Sequence, residues 1–276
     1  MTRPPAPEPL PRPVVDDHTH LDHARRGESA PPPAQALAAA AAVGVTRMVQ
    51  IGCDLESARW TAGVIEEFPA LLGGVALHPT EATRLSASGE FEEAFAEIER
   101  HAAHPRVRVV GETGLDHYWV EDGAGRAAQE DSFRRHIDLA ERLGKVLQIH
   151  DRDAHDDVLR VLTQEGAPER TVFHCFSGDA EMARSCADRG WYLSFAGTLT
   201  FANAGPLREA LRAVPLEQVL VETDAPYLAP SPHRGRTNAG YLVPLTVRCM
   251  AEVVGRDLED VCATLDATSE ALYGPW

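Results

Sequence analysis

Eight short apolar runs, separated by helix-like stretches, constrain this chain more than any other feature. The runs fall at 14–20, 46–52, 71–78, 107–113, 146–150, 171–176, 191–195 and 219–223. The intervening stretches, 34–42, 55–68, 90–101, 126–143, 154–165, 180–189 and 207–214, read as helices, and two more, 242–254 and 258–273, finish the chain. The punctuation agrees: Gly44, Gly144 and Gly190 close helices, Pro69 lies just past one, and Pro79 stops the third strand. Alternation of this kind predicts a parallel sheet closed into a (β/α)8 TIM barrel with extra C-terminal helices. An open, doubly wound sheet is the alternative. The count of eight and the lack of a glycine-rich phosphate loop after the first strand favour the barrel.

At 276 residues the chain is long enough for one such barrel. The first thirteen residues hold six prolines and no apolar segment. They read as a disordered or extended tail rather than a secretory signal, leaving 14–276 as a single domain. No apolar run is long enough to span a membrane. Five scattered cysteines, with no C-x-x-C pair, suggest reduced thiols, a cytoplasmic home and no zinc knuckle. The net charge of −16 repels polyanions and counts against a protein that binds DNA by its general surface. It leaves room for a site that takes one phosphate with metal ions and a few arginines. Lys145 is the sole lysine and lies at the wrong end of its strand for a metal-bridging or Schiff-base role.

The predicted strand ends carry the chemistry, and barrel enzymes build their sites on that rim. Strand one gives His18 and His20, which share a face at i and i+2. Strand three gives His78, strand four Glu112, strand five His150, strand six His174 and strand eight Asp224. Any one histidine here reads better as a hydrogen-bonded buried residue, and His101, His104, His136 and His155 lie off the rim. The set together predicts a metal centre. His18, His20 and Asp224 would hold one ion, His150 and His174 a second, and Glu112 would bridge them. Such a pair clamps a phosphoryl group and lowers the pKa of a bridging water, with Asp224 taking its proton.

Arg152 shares a face with His150 and could bind phosphate; a surface ion pair is the other reading. Arg234, in a Pro/Gly-rich loop after strand eight, could close over the mouth and grip phosphate, or be a solvated turn. Asp116 and Tyr118 are candidates to orient ligands or close the site. Cys175 should point away from His174 and be a small buried residue rather than a nucleophile.

Seven ordered motifs resemble the TatD-type metal-dependent hydrolases, also called TatD deoxyribonucleases, over nearly the whole chain after the tail. They are Asp17-His18-Thr19-His20-Leu21-Asp22, Gly74-Val75-Ala76-Leu77-His78-Pro79, Gly111-Glu112-Thr113-Gly114-Leu115-Asp116, Ile149-His150-Asp151-Arg152, Phe173-His174-Cys175-Phe176-Ser177-Gly178, Glu222-Thr223-Asp224-Ala225-Pro226-Tyr227-Leu228 and Pro232-His233-Arg234-Gly235. The resemblance implies an amidohydrolase-like barrel with a two-metal centre, whose ligands match His18, His20, Glu112, His150, His174 and Asp224. It implies cleavage of DNA phosphodiesters, including 3′–5′ exonuclease action on single-stranded ends. Two positions depart from the family pattern: Thr80 replaces a histidine, and His117 replaces the first of two tyrosines.

The expected function is thus a divalent-metal phosphodiesterase acting on DNA bound locally at the barrel mouth, with catalytic Asp224 and Glu112. His78, Arg152 and Arg234 are the substrate-binding candidates, and no membrane or obligate protein partner is expected. A carboxylic ester or amide hydrolase, such as an aminoacyl-tRNA deacylase, would use the same ligands. A non-catalytic accessory barrel is a third reading. Four imidazoles suit Zn²⁺, Mn²⁺ or Ni²⁺, whereas phosphoryl transfer suits Mg²⁺.

Overall fold

The computed structural model describes residues 3–25 and 27–276. Eight strands form one parallel sheet in sequential order: β1 (Val14–Thr19), β2 (Val45–Gly52), β3 (Leu71–Val75), β4 (Val107–Asp116), β5 (Val146–Arg152), β6 (Thr171–Phe173), β7 (Tyr192–Phe195) and β8 (Val219–Val221). The ring closes where β1 meets the chain just past β8. There the Asp224 amide donates to the His18 carbonyl at 3.0 Å, and the His20 amide donates to the Ala225 carbonyl at 2.9 Å. The fold is the expected (β/α)8 barrel. Its helices are α1 (Pro33–Ala41), α2 (Leu55–Glu67), α3 (Pro79–Ser88), α4 (Phe91–Ala102), α5 (Gly123–Leu143), α6 (His155–Glu165), α7 (Ala180–Ala187), α8 (Gly205–Arg212), α9 (Val243–Val254) and α10 (Leu258–Tyr273).

One helix is absent from the sequence reading, which takes Pro79 only as a strand stop. In the structure β3 ends at Val75, and Pro79 opens α3. A proline in the first turn sacrifices no helical hydrogen bond. His78 caps that end by accepting the Thr80 amide, and Gly89 ends the helix at φ 77°.

Strand alternation stacks the barrel interior in layers. Val146 on β5, Val172 on β6 and Leu220 on β8 pack with Val49, Ile51, Leu72 and Val109 around Leu272 and Tyr273 from the end of α10. That layer is apolar and plugged by the last helix. Two residues further along β5 and β8 come Gln148 and Glu222, both fully buried. Two further again come His150 and Asp224. A period of two thus carries each path from apolar floor to polar middle to ligand-bearing rim.

The proline-rich segment forms no helix or strand over residues 3–13; residues 1 and 2 lie outside the described residues. Its prolines favour an extended chain whose carbonyls stay open to donors. The Tyr241 hydroxyl donates to the Pro4 carbonyl at 2.8 Å, and Arg248 donates to the carbonyls of Glu8 and Pro9. Leu10 is buried and donates its amide to the Val43 carbonyl at 3.0 Å. Among the described residues no helix is long and apolar enough to cross a membrane. Lys145 starts just before β5 and donates to the carbonyls of Ala102, His104 and Val107, far from the rim in sequence and role.

Candidate metal centre

The rim brings all six expected ligands together. Glu112 reaches the mouth where β4 shifts register between Val110 and Thr113. The chain passes Gln148 so closely there that a Cβ on Gly111 would lie 2.7 Å from that side chain, so only glycine fits. Asp224 lies past the end of β8 with φ 53°, a left-handed conformation that aspartate tolerates better than most residues. Its Oδ1 stands 3.3 Å from His20 Nε2 and 3.9 Å from His18 Nε2.

The two oxygens of Glu112 divide the histidines into two groups. Oε1 lies 3.6 Å from His18 Nε2 and 3.5 Å from His20 Nε2. Oε2 lies 2.9 Å from His150 Nδ1 and 2.9 Å from His174 Nε2, and those two nitrogens are 3.4 Å apart. Ligand atoms held about 2.1 Å from one tetrahedral centre stand about 3.4 Å from one another. The first group fits that value, as does the nitrogen pair of the second at 3.4 Å, whereas the two contacts to Oε2 are at hydrogen-bond length.

Each of these histidines has its other nitrogen fixed by an acceptor. His18 Nδ1 meets Gln148 Oε1 at 2.8 Å, and His20 Nδ1 meets the Ile51 carbonyl at 2.9 Å. Gln148 spends its amide N–H on the Asp17 carbonyl, which orients its oxygen toward His18. Both acceptors can only accept, so both Nδ1 atoms carry a proton, and each Nε2 presents a lone pair when its ring is neutral. Those two Nε2 atoms face each other at 3.1 Å. Two lone pairs at that distance repel unless positive charge lies between or beside them. His150 Nε2 meets Asp116 Oδ2 at 3.2 Å, and His174 Nδ1 meets Glu222 Oε1 at 3.3 Å. Carboxylates behind ligating imidazoles raise their basicity and fix their orientation. The donor set and its outer partners therefore fit a metal site.

The electrostatics make the same demand. Burial opposes charge on Glu112, yet His174, His150 and His18 outweigh it and hold its carboxyl well below the usual range. Burial also opposes charge on His20, yet Asp224 and Glu112 beside it push its pKa up to about 10. Burial and His174 push His18 down, whereas Glu112 and Glu222 overcome burial to push His174 well up. The carboxylates keep their negative charge and call for cations among the imidazoles.

The remaining predicted residues separate. His78 lines the cavity, with Nε2 3.9 Å from Glu112 Oε2. Burial and His150 lower its pKa to about 3, so its ring is neutral. Since its Nδ1 accepts the Thr80 amide, its Nε2–H is the donor that faces the mouth. Arg152 lines the cavity with its guanidinium 4.0 Å from the Tyr118 ring centre. Arg234 does not close over the mouth: it is exposed, rests 4.5 Å from the Phe201 ring centre, and is not among the lining residues. The cation–π contact holds it outside the cavity. Asp116 orients His150, as the sequence suggests, but Tyr118 is half exposed and lies against Arg152. Cys175 lines the cavity instead of pointing away, because β6 ends at Phe173 and strand alternation lapses before φ 43° at Cys175. Burial and nearby carboxylates push its thiol well up, so it is no nucleophile.

Gln148 and Glu222 escape the sequence reading as functional residues, although each precedes a ligand by two on the same strand path. That spacing is the signal that would have found them. Cys53, whose thiol meets Glu112 Oε1 at 3.2 Å, and the stacked His20–His23 pair, with ring centres 4.7 Å apart, carry no comparable sequence signal.

Barrel, rim position and donor set together define a metal-dependent hydrolase. The model of the family described as TatD related DNase matches residues 15–274, and this chain belongs to that family. A relative from Mycobacterium tuberculosis, named an uncharacterized metal-dependent hydrolase TatD, is 49% identical over 264 residues, covering 95% of this chain and 98% of its own. The uncharacterized metal-dependent hydrolase YabD of Bacillus subtilis is 32% identical, covering 94% of this chain and 98% of its own. Among solved structures, the TatD homolog YJJV of Escherichia coli K12 superposes with a TM-score of 0.83 at 23% identity, covering 94% of this chain and 97% of that one. That last likeness confirms the fold.

Proposed function

We propose that this protein hydrolyses phosphodiester bonds of DNA at exposed strand ends, using two divalent cations held by His18, His20, Asp224, His150, His174 and the bridging Glu112. The observation that carries the reading is the division of labour within Glu112. One oxygen faces His18 and His20 and the other faces His150 and His174, which suits ions about 3.5–4 Å apart. When bound, Mg²⁺, Mn²⁺ or Zn²⁺ supplies Lewis-acid stabilisation of developing charge and acidifies water.

The chain's own residues do the rest. Burial would raise the Asp224 pKa, but His20 and His18 hold it low, so the carboxylate is ionised and can accept a proton. His78 Nε2–H and the Arg152 guanidinium donate toward a phosphate in the same cavity. The −16 net charge keeps binding local and weak elsewhere. Five free cysteines and no disulfide support a cytoplasmic home.

Metal-stripped protein should regain cleavage of single-stranded DNA when one of the three ions is returned, and an Asp224→Asn variant should not. Failure with every ion would overturn the nuclease reading and direct the search to aminoacyl esters and amides.

A further inference from the structure

Among the described residues three large apolar side chains are exposed: Trp119 at 65%, Tyr118 at 50% and Tyr227 at 45%. All three stand at the barrel mouth. Trp119 and Tyr227 line the cavity that holds the metal ligands, a space of about 740 Å³. Among the described residues no other large apolar side chain is exposed, so this clustering calls for a reason.

The loop that carries Trp119 is tied to the metal centre by one carboxylate. Asp116 Oδ1 accepts the Tyr118 amide at 3.0 Å and the Trp119 amide at 2.9 Å, while Oδ2 meets His150 Nε2 at 3.2 Å. Past the two rings, Val120 is buried and Asp122 caps α5 by accepting the Gly125 amide at 2.8 Å. The loop is therefore pinned at both ends while its rings face outward. Arg152 lies 4.0 Å from the Tyr118 ring centre and thereby covers one face of it. Trp119 meets Tyr118 edge to face, with planes at 87° and centres 4.9 Å apart, and Arg152 lies over its ring 5.7 Å from the centre; the indole is nonetheless largely exposed and lines the cavity.

We propose that Trp119, backed by Tyr118 and Arg152, is a stacking subsite for one nucleobase of a single-stranded nucleic acid whose phosphate lies in the same cavity, beside His78 and the metal ligands. This rests on the phosphodiesterase reading above. Charge decides between ways of holding such a strand. A chain of net charge −16, with Arg152 the one arginine among the described residues that line this cavity, gains little from phosphate contacts. Base stacking on an aromatic ring needs no positive field, accepts any base and requires an unpaired strand. The pinned loop sets the base at a fixed offset from the ligands, so the ring contributes to register as well as affinity.

The test uses metal-reconstituted protein and a short single-stranded oligonucleotide in which each nucleoside is replaced in turn by a ring-free three-carbon spacer. Cleavage is followed in wild type, Trp119→Ala and Trp119→Phe, and binding by fluorescence anisotropy in the Asp224→Asn background of each. One spacer position should cost wild type about tenfold in kcat/KM and in affinity. Trp119→Ala should erase that preference, and Trp119→Phe should restore most of it. Because Trp119 is exposed, neither change should disturb folding. A spacer penalty that survives in Trp119→Ala, or no spacer penalty in wild type, would overturn the subsite. Ring-dependent binding without cleavage would uphold the subsite and overturn the phosphodiesterase reading, whereas cleavage indifferent to rings would do the reverse.

Discussion

His136 and the four rim histidines are all largely buried, and they differ in what their second nitrogen meets. His136, on α5, directs Nδ1 at the Ser132 carbonyl at 2.8 Å and accepts the Leu77 amide on Nε2 at 3.2 Å. Both its nitrogens are satisfied by backbone, and Phe95 packs edge to face against the ring at 4.9 Å. It braces a helix against the chain beyond β3. His18, His20, His150 and His174 each have one nitrogen on a fixed acceptor and the other turned toward further ligand atoms. Burial alone does not mark a metal ligand. An imidazole with one nitrogen oriented and the other left for a shared focus does.

Three changes probe that contrast, the largest effect first. Glu112→Ala removes the atom pair on which both groups converge, and hydrolysis should fall at least about a thousandfold in steady-state assays on the metal-loaded protein. His136→Gln should leave kcat of the folded protein within about twofold of wild type. If His136→Gln disables catalysis as Glu112→Ala does, the two classes of histidine are not distinct.

The second effect is on acid stability. Burial depresses the His136 pKa from 6.5 to about 4, so the fold favours the neutral ring. The unfolded chain then binds the extra proton between pH 6.5 and 4. The stability that neutral His136 contributes is full above 6.5 and is lost as pH falls toward 4, by about 3 kcal/mol. Urea titrations should show the stability gap between wild type and His136→Gln narrowing by about that amount across the window. A gap constant with pH would mean that His136 is not the group that charges.

The third and smallest effect is Gln148→Leu, which leaves all six ligands in place but removes the acceptor behind His18. Calorimetric metal affinity should drop about 10–100-fold, and stability should fall by about 1–3 kcal/mol because His18 and the Asp17 carbonyl lose a buried partner. Unaltered affinity would show that the outer partners do not matter here.

Much of this was legible in the sequence because two periodicities carried it. Short apolar runs gave the eight strands, their C-terminal ends put the ligands on one rim, and period-two alternation set His18 and His20 on one face. What stayed hidden depended on contacts between distant segments. Pro79 looks the same whether it stops a strand or starts a helix, and His78 as its cap is visible only once Thr80 folds back. Arg234 reads as a phosphate clamp until Phe201 is seen beneath it. His136 is set apart in sequence by its place in a predicted helix, but the Leu77 amide that occupies its second nitrogen is seen only in the fold. The loop at Tyr118 and Trp119 follows no periodic pattern, and Asp116 links it to His150 only in three dimensions.

The central claim is that Glu112 bridges two cations, and anomalous scattering from crystals grown with Mn²⁺ tests it most directly. The account predicts two peaks about 3.5–4 Å apart, one beside His18, His20 and Asp224, the other beside His150 and His174, with Glu112 between them. A single peak, or two peaks that Glu112 does not touch, would contradict it.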